Sequence, residues 1–203
     1  MNYKNDDSFF TVILPIRTPL KYWDIYKWAE KDPNATFRFI RDFEIEDDRL
    51  TLKEVNEMYP GVKVVGAVTN PWGRALWAYN MTIDPPTGYP GVAEVSKHFK
   101  NIDFTSFDTY LNSIEQCEIL DAKTHPSTPQ STWISYDNTQ VDYILRAEHL
   151  NEDFKLLQQY FESDIPLGVD DFTIDYKKHY TSTTKAIIEK YFKEDIDRFG
   201  YEF

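Results

Sequence analysis

Two apolar, β-branched runs, each followed closely by a helix-start signal, constrain this chain more than any other feature. Residues 9–14 read FFTVIL and residues 62–68 read VKVVGAV. Continuous apolar runs without alternation suit strands buried on both faces, as in parallel sheets. After the first run, Thr18 and Pro19 supply an N-cap and a proline at the first helical position. After the second, Asn70 and Pro71 repeat that signal. Strand, short loop, helix, twice over, predicts an α/β fold with a central, mostly parallel sheet flanked by helices. Both runs are expected to be neighbouring or near-neighbouring central strands. In such folds ligands bind where strands end and helices begin, which singles out the turns at 15–19 and 69–72.

The rest of the chain fits this scheme. Thr51 and Glu54 have the spacing of a capping box for a helix ended by Pro60 and Gly61. Residues 84–91, DPPTGYPG, form a loop. Asp103 is expected to cap a helix carrying Phe104, Phe107, Leu111 and Ile114, and 132–135 and 141–145 read as strands. Residues 151–161 place Phe154, Leu157 and Phe161 on one helical face. Thr181 opens a last helix that ends at Gly200, a C-cap glycine, after which Tyr201 and Phe203 are expected to fold back on the domain. No repeat or flexible linker divides the sequence, so residues 1–203 read as a single domain.

Composition excludes several classes. Aromatic residues make up 16% of the 203 positions, far more than a disordered chain carries. The net charge of −12 argues against a nucleic-acid partner, which requires a basic footprint. One cysteine, Cys117, rules out an internal disulfide and a cysteine-rich zinc site. No run approaches the ~20 apolar residues that cross a bilayer. The amino-terminal MNYKNDDSFF has acids where a signal peptide has a basic start, so no membrane and a cytoplasmic location are expected.

The segment VVGAVTNPWGRALWAY, residues 64–79, resembles the part of carbohydrate-type sulfotransferases that binds the 3′-phosphate of the sulfate donor PAPS. The turn HPSTPQS at 125–131 resembles that family's Pro-Gln turn, and VDYILRAEHLNEDF at 141–154 its next strand and helix. The closing block HYTSTTKAIIEKYFKEDIDRFGYEF at 179–203 is similar to the family's last helix and tail. The match covers roughly residues 50–203. It implies a sulfotransferase, P-loop-like fold that takes PAPS, releases PAP and transfers sulfate to a hydroxyl acceptor, a carbohydrate among the candidates. Divergent relatives of this kind also occur in phages.

Carried over residue by residue, the resemblance assigns cofactor binding to Arg17, Thr18, Thr69, Asn70 and Arg74. Asn70, Pro71, Arg74 and Tyr79 match the family pattern. Thr69 stands where the family has a phosphate-binding arginine, and Trp77 where it has a phosphate-binding serine. The family's glycine- and lysine-bearing loop between first strand and helix is replaced by Pro15-Ile16-Arg17-Thr18-Pro19. Two prolines there remove backbone donors, and Arg17 differs from lysine in shape. Arg74 is a donor-phosphate ligand or a structural ion pair, and Trp72 an adenine platform or a core residue.

Sulfuryl transfer needs a base for the acceptor hydroxyl. Of the four histidines, His98, His125, His149 and His179, the one beside the Pro-Gln turn, His125, is the candidate. Glu44 and Glu46 are further possible bases, and Arg38 and Arg41 could add charge to a pocket. Three functions remain open: a PAPS-dependent enzyme, a non-catalytic binding or structural protein with a degenerate active site and a protein partner, or another nucleotide- or sugar-binding enzyme.

Overall fold

The structure, a computed structural model, describes residues 10–13, 22–31, 50–87, 91–120 and 127–203. In chain order these hold β1 (Phe10–Ile13), α1 (Tyr22–Lys31), α2 (Leu52–Met58), β2 (Lys63–Val68), α3 (Pro71–Ile83), α4 (Val92–Val95), β3 (Phe99–Lys100) and α5 (Phe107–Ser113). There follow β4 (Glu118–Ile119), α6 (Ser131–Ile134), β5 (Ser135–Tyr136), β6 (Thr139–Gln140), β7 (Tyr143–Arg146), α7 (Leu150–Phe161), α8 (Ser182–Tyr191) and α9 (Lys193–Phe199). The fold is mixed α/β with a parallel sheet. The chain gathers into two compact units, residues 1–69 with 130–173, and 70–129 with 174–203.

The first unit is built on β2. Every residue of this strand after Lys63 is buried, which explains why its sequence is apolar without alternation. It runs parallel to β1 on one side and to β7 on the other, with Val12 opposite Val65 and Val65 opposite Tyr143. The two runs are therefore neighbours, as expected, but only β2 is central. Among the described residues β1 and β7 are the outer strands.

Alternation sends successive β2 side chains to opposite faces. Val65 and Ala67 join Ile25 and Trp28 of α1 and Phe154, Leu157 and Phe161 of α7 in one core. Trp28 meets Phe154 edge-on at 4.8 Å and donates its indole N–H to the Ile165 carbonyl at 2.7 Å. On the other face Gly66 lets α6 approach closely. A Cβ there would lie 2.9 Å from Ile134 Cγ2 and 3.0 Å from Val141 Cγ2.

Residues 132–135, expected as a strand, are corrected to the helical turn α6 and the first residue of β5. The Ser135 hydroxyl donates to the Ser131 carbonyl across that turn at 2.8 Å. A hairpin then pairs Ser135 with Gln140 and Tyr136 with Thr139, made possible by Asp137 at φ 48°. β7 passes into α7 through Arg146, whose guanidinium grips Asp153 with two bonds of 2.9 and 2.7 Å.

In the second unit an aromatic core forms around α3, α5 and α8, with Trp72, Tyr79, Phe107, Tyr110 and Ile188 at its centre. α5 begins one turn later than expected. Asp103 accepts from the Thr105 N–H instead, and Ser106 is the cap, in a reciprocal box with Thr109. The last helix, read as continuous, breaks at Phe192 into α8 and α9. Its cap at Thr181 and its end at Gly200 in the left-handed region are as expected.

Phe203 is half-buried and meets Trp72, Tyr176 and Tyr180 edge-on at 5.5 to 5.7 Å. The tail is thus packed. Deleting Gly200–Phe203 should cost about 2–5 kcal/mol, as for losing large packed side chains. Chemical denaturation measures this, and an unchanged midpoint would refute it.

Candidate functional site

The carboxyl end of β2 is finished by a side chain. Thr69, the next residue, is fully buried. Its N–H donates to Gln130 Oε1 at 2.9 Å, and its carbonyl accepts from Gln130 Nε2 at 2.8 Å. A primary amide carries donor and acceptor side by side, as a neighbouring strand would. Gln130, also fully buried, therefore extends the ladder by one residue. The Thr69 hydroxyl and the Trp133 indole N–H, both buried in this unit, have no hydrogen-bond partner among the described residues.

In the second unit Asn70 opens α3. Its Oδ1 accepts from the backbone N–H groups of Trp72 at 3.1 Å and Gly73 at 3.3 Å, the arrangement that makes asparagine a good N-cap. Its Nδ2 donates to the Tyr176 hydroxyl and to the Glu202 carbonyl, each at 3.2 Å. Gly73 leaves room for this chain crossing, since a Cβ there would stand 3.1 Å from Ile174 Cγ2. The Tyr180 hydroxyl donates to the Trp72 carbonyl at 2.8 Å. Burial, with Tyr110 and Tyr176 nearby, holds its proton well above the ordinary tyrosine range.

Arg74 sits one turn into α3 and is buried. Its Nη1 donates to the Thr128 carbonyl at 3.4 Å, and its guanidinium lies 5.6 Å from the centre of the Phe192 ring. Its surroundings are those of a structural arginine. Trp77 is half-buried on the same helix. Trp72 is 2% exposed with Phe203 against its ring, so it is a core residue rather than a free stacking platform.

Among the sequence-derived candidates, Thr69 belongs to the first unit, and Asn70 and Arg74 to the second. Arg17, Thr18 and His125 lie outside the described residues, as do Arg38, Arg41, Glu44 and Glu46. His149 and His179 are exposed, as surface groups. Among the described residues no group of His, Cys, Asp and Glu could hold a metal ion, and no helix is long and apolar enough to cross a membrane. An open depression of about 590 Å³ lined by Lys155, Gln158, Gln159, Glu162, Ser163 and Asp164 lies on the first unit.

Sequence reasoning missed Gln130 and Tyr176 as individual residues. The Pro-Gln turn was visible as a motif, but nothing in it says that its amide reaches a strand 61 residues earlier. No protein-family model and no curated protein matches the chain.

Gln130→Ala should destabilise the protein by about 2–6 kcal/mol, because two buried backbone groups lose their partners at about 1–3 kcal/mol each. Urea unfolding measures it, and a loss under about 1 kcal/mol would contradict the clamp. Tyr180 has a folded pKa above its unfolded value of about 10. Its contribution is therefore complete below pH ~10 and lost as pH rises through the folded pKa. Tyr180→Phe should lower the melting temperature at neutral pH, and the gap from wild type should narrow above pH ~10. A gap that stays constant with pH would contradict this.

Proposed function

We propose that this chain is a sulfotransferase-like protein on a P-loop-like α/β fold. The observation that carries the reading is the clamp of Gln130 on Thr69. It joins two segments that carried the resemblance, the Pro-Gln turn and the strand before Asn-Pro, through a specific pair of buried bonds. The closing block supports it independently, since Tyr180 and Phe203 pack against Trp72 in the first turn of α3. In its catalytic form the reading is transfer of sulfate from PAPS to a hydroxyl acceptor, a carbohydrate among the candidates. PAP is then the product and His125 the base.

A specific observation favours a second form, a non-catalytic binding or structural protein with a degenerate donor site. Arg74, the one matched cation of the donor site, is buried against Phe192 and the Thr128 carbonyl within its own unit. The two other 3′-phosphate positions hold Thr69 and Trp77, neither of them charged. The first turn lacks the glycines and lysine of a phosphate loop. Each lost charge-assisted hydrogen bond is worth about 1.5–3 kcal/mol. Losing roughly three removes on the order of 5 kcal/mol, which turns micromolar affinity into millimolar.

Calorimetric titration with PAP tests the two forms. Binding no tighter than millimolar is the expected outcome and supports the degenerate donor site. Binding at low micromolar concentration, abolished by Arg17→Ala and weakened by Arg74→Ala, would establish the catalytic form instead.

A further inference from the structure

We infer that the carboxyl end of β2 reads a neutral, hydroxyl-bearing group and rejects a phosphate there, with Thr69 as the residue that decides. The inference rests on the sulfotransferase-like reading only for the choice of an adenine nucleotide as probe. Ligands of parallel α/β folds lie at the carboxyl ends of the strands, and Thr69 follows the last residue of the central one. Gln130 consumes both backbone groups of Thr69 and spends its own amide doing so. The hydroxyl is what remains, on a backbone held from both sides.

That hydroxyl is fully buried and has no hydrogen-bond partner among the described residues. Leaving a buried hydroxyl unsatisfied is costly, so an unpaired one at a strand end points to a ligand group that completes it. Trp133, three residues after Gln130, carries a second buried N–H with no described partner in the same unit. A hydroxyl can donate and accept, whereas an indole N–H only donates. The Thr69 hydroxyl therefore suits an oxygen that itself both donates and accepts, a sugar or ribose hydroxyl. Thr69, Gln130 and Trp133 are all uncharged. A phosphate dianion at the Thr69 hydroxyl would lose water without gaining a countercharge from Thr69 or Gln130.

The ligand class is therefore a nucleoside or sugar whose hydroxyl at this position is free. Adenosine 5′-monophosphate and PAP, adenosine 3′,5′-bisphosphate, differ only in the 3′-phosphate. Titrating each into the full chain at one ionic strength should show the monophosphate binding at least about ten-fold tighter, the scale of one hydrogen bond against an unpaired charge.

Thr69→Val keeps the volume and removes the hydroxyl. It should weaken the monophosphate about ten-fold, leave PAP unchanged, and leave the melting temperature equal or higher because an unpaired polar group is gone. PAP binding as tightly as the monophosphate, or tighter, overturns the inference while sparing the sulfotransferase-like reading. Unchanged monophosphate affinity in Thr69→Val, or a lowered melting temperature that reveals a satisfied hydroxyl, overturns the role of Thr69. Failure of both nucleotides to bind up to millimolar concentration overturns the inference and the catalytic form together.

Discussion

One buried amide holds the central strand of the first unit at its carboxyl end. Gln130 gives Thr69 both a donor and an acceptor, in a place where a strand would otherwise end with two unpaired polar groups. The opposite end of β2 is held in a similar way. Asp142 accepts from the Val64 N–H at 2.9 Å and from the Lys63 ammonium at 2.6 Å. Side chains just before β7 and α6 thus pin the strand on which the parallel sheet depends. The helices can then pack on it because one face presents Val65 and Ala67 and the other a bare Gly66.

The second unit is organised by the opening of α3. Asn70 uses its acceptor on the helix and its donor on Tyr176 and the Glu202 carbonyl, so one side chain both starts a helix and ties down the tail. The aromatic rings of Trp72, Tyr176, Tyr180 and Phe203 gather around that point. The Lys185 ammonium lies 4.4 Å from the centre of the Phe203 ring, a cation–π contact on the outer side of the cluster. The residues that match the sulfotransferase pattern in this unit, Asn70, Arg74 and Tyr79, all have contacts within the unit that account for them. Their positions are thus accounted for by packing and hydrogen bonding within the unit.

Several parts of this arrangement were legible in the sequence. The apolar run at 62–68 predicted a strand buried on both faces, and β2 is one, because a parallel strand between two others has no solvent side. The capping residues Thr51, Asn70 and Thr181 marked helix starts correctly, since a cap is a contact between residues two or three apart. Asp103 misled because Ser106, with Thr109 three residues on, makes the better reciprocal cap. Residues 132–135 misled because the β-branched content of a four-residue stretch says little. The close approach of Ile134 to Gly66 is a long-range fact.

The sequence by itself determined the class of fold, the positions of several helix starts, and the uncharged residue types at 69 and 77. These follow from local periodicity, caps and residue identity, all of which are carried by neighbours along the chain. Only the tertiary structure decided that Gln130 completes the strand end, that Trp72 is covered by Phe203, that Arg74 is buried on Phe192, and that the Thr69 hydroxyl is left without a described partner. Each of these depends on contacts between residues far apart in the chain, and the burial that gives a polar group its meaning exists only once those residues have met.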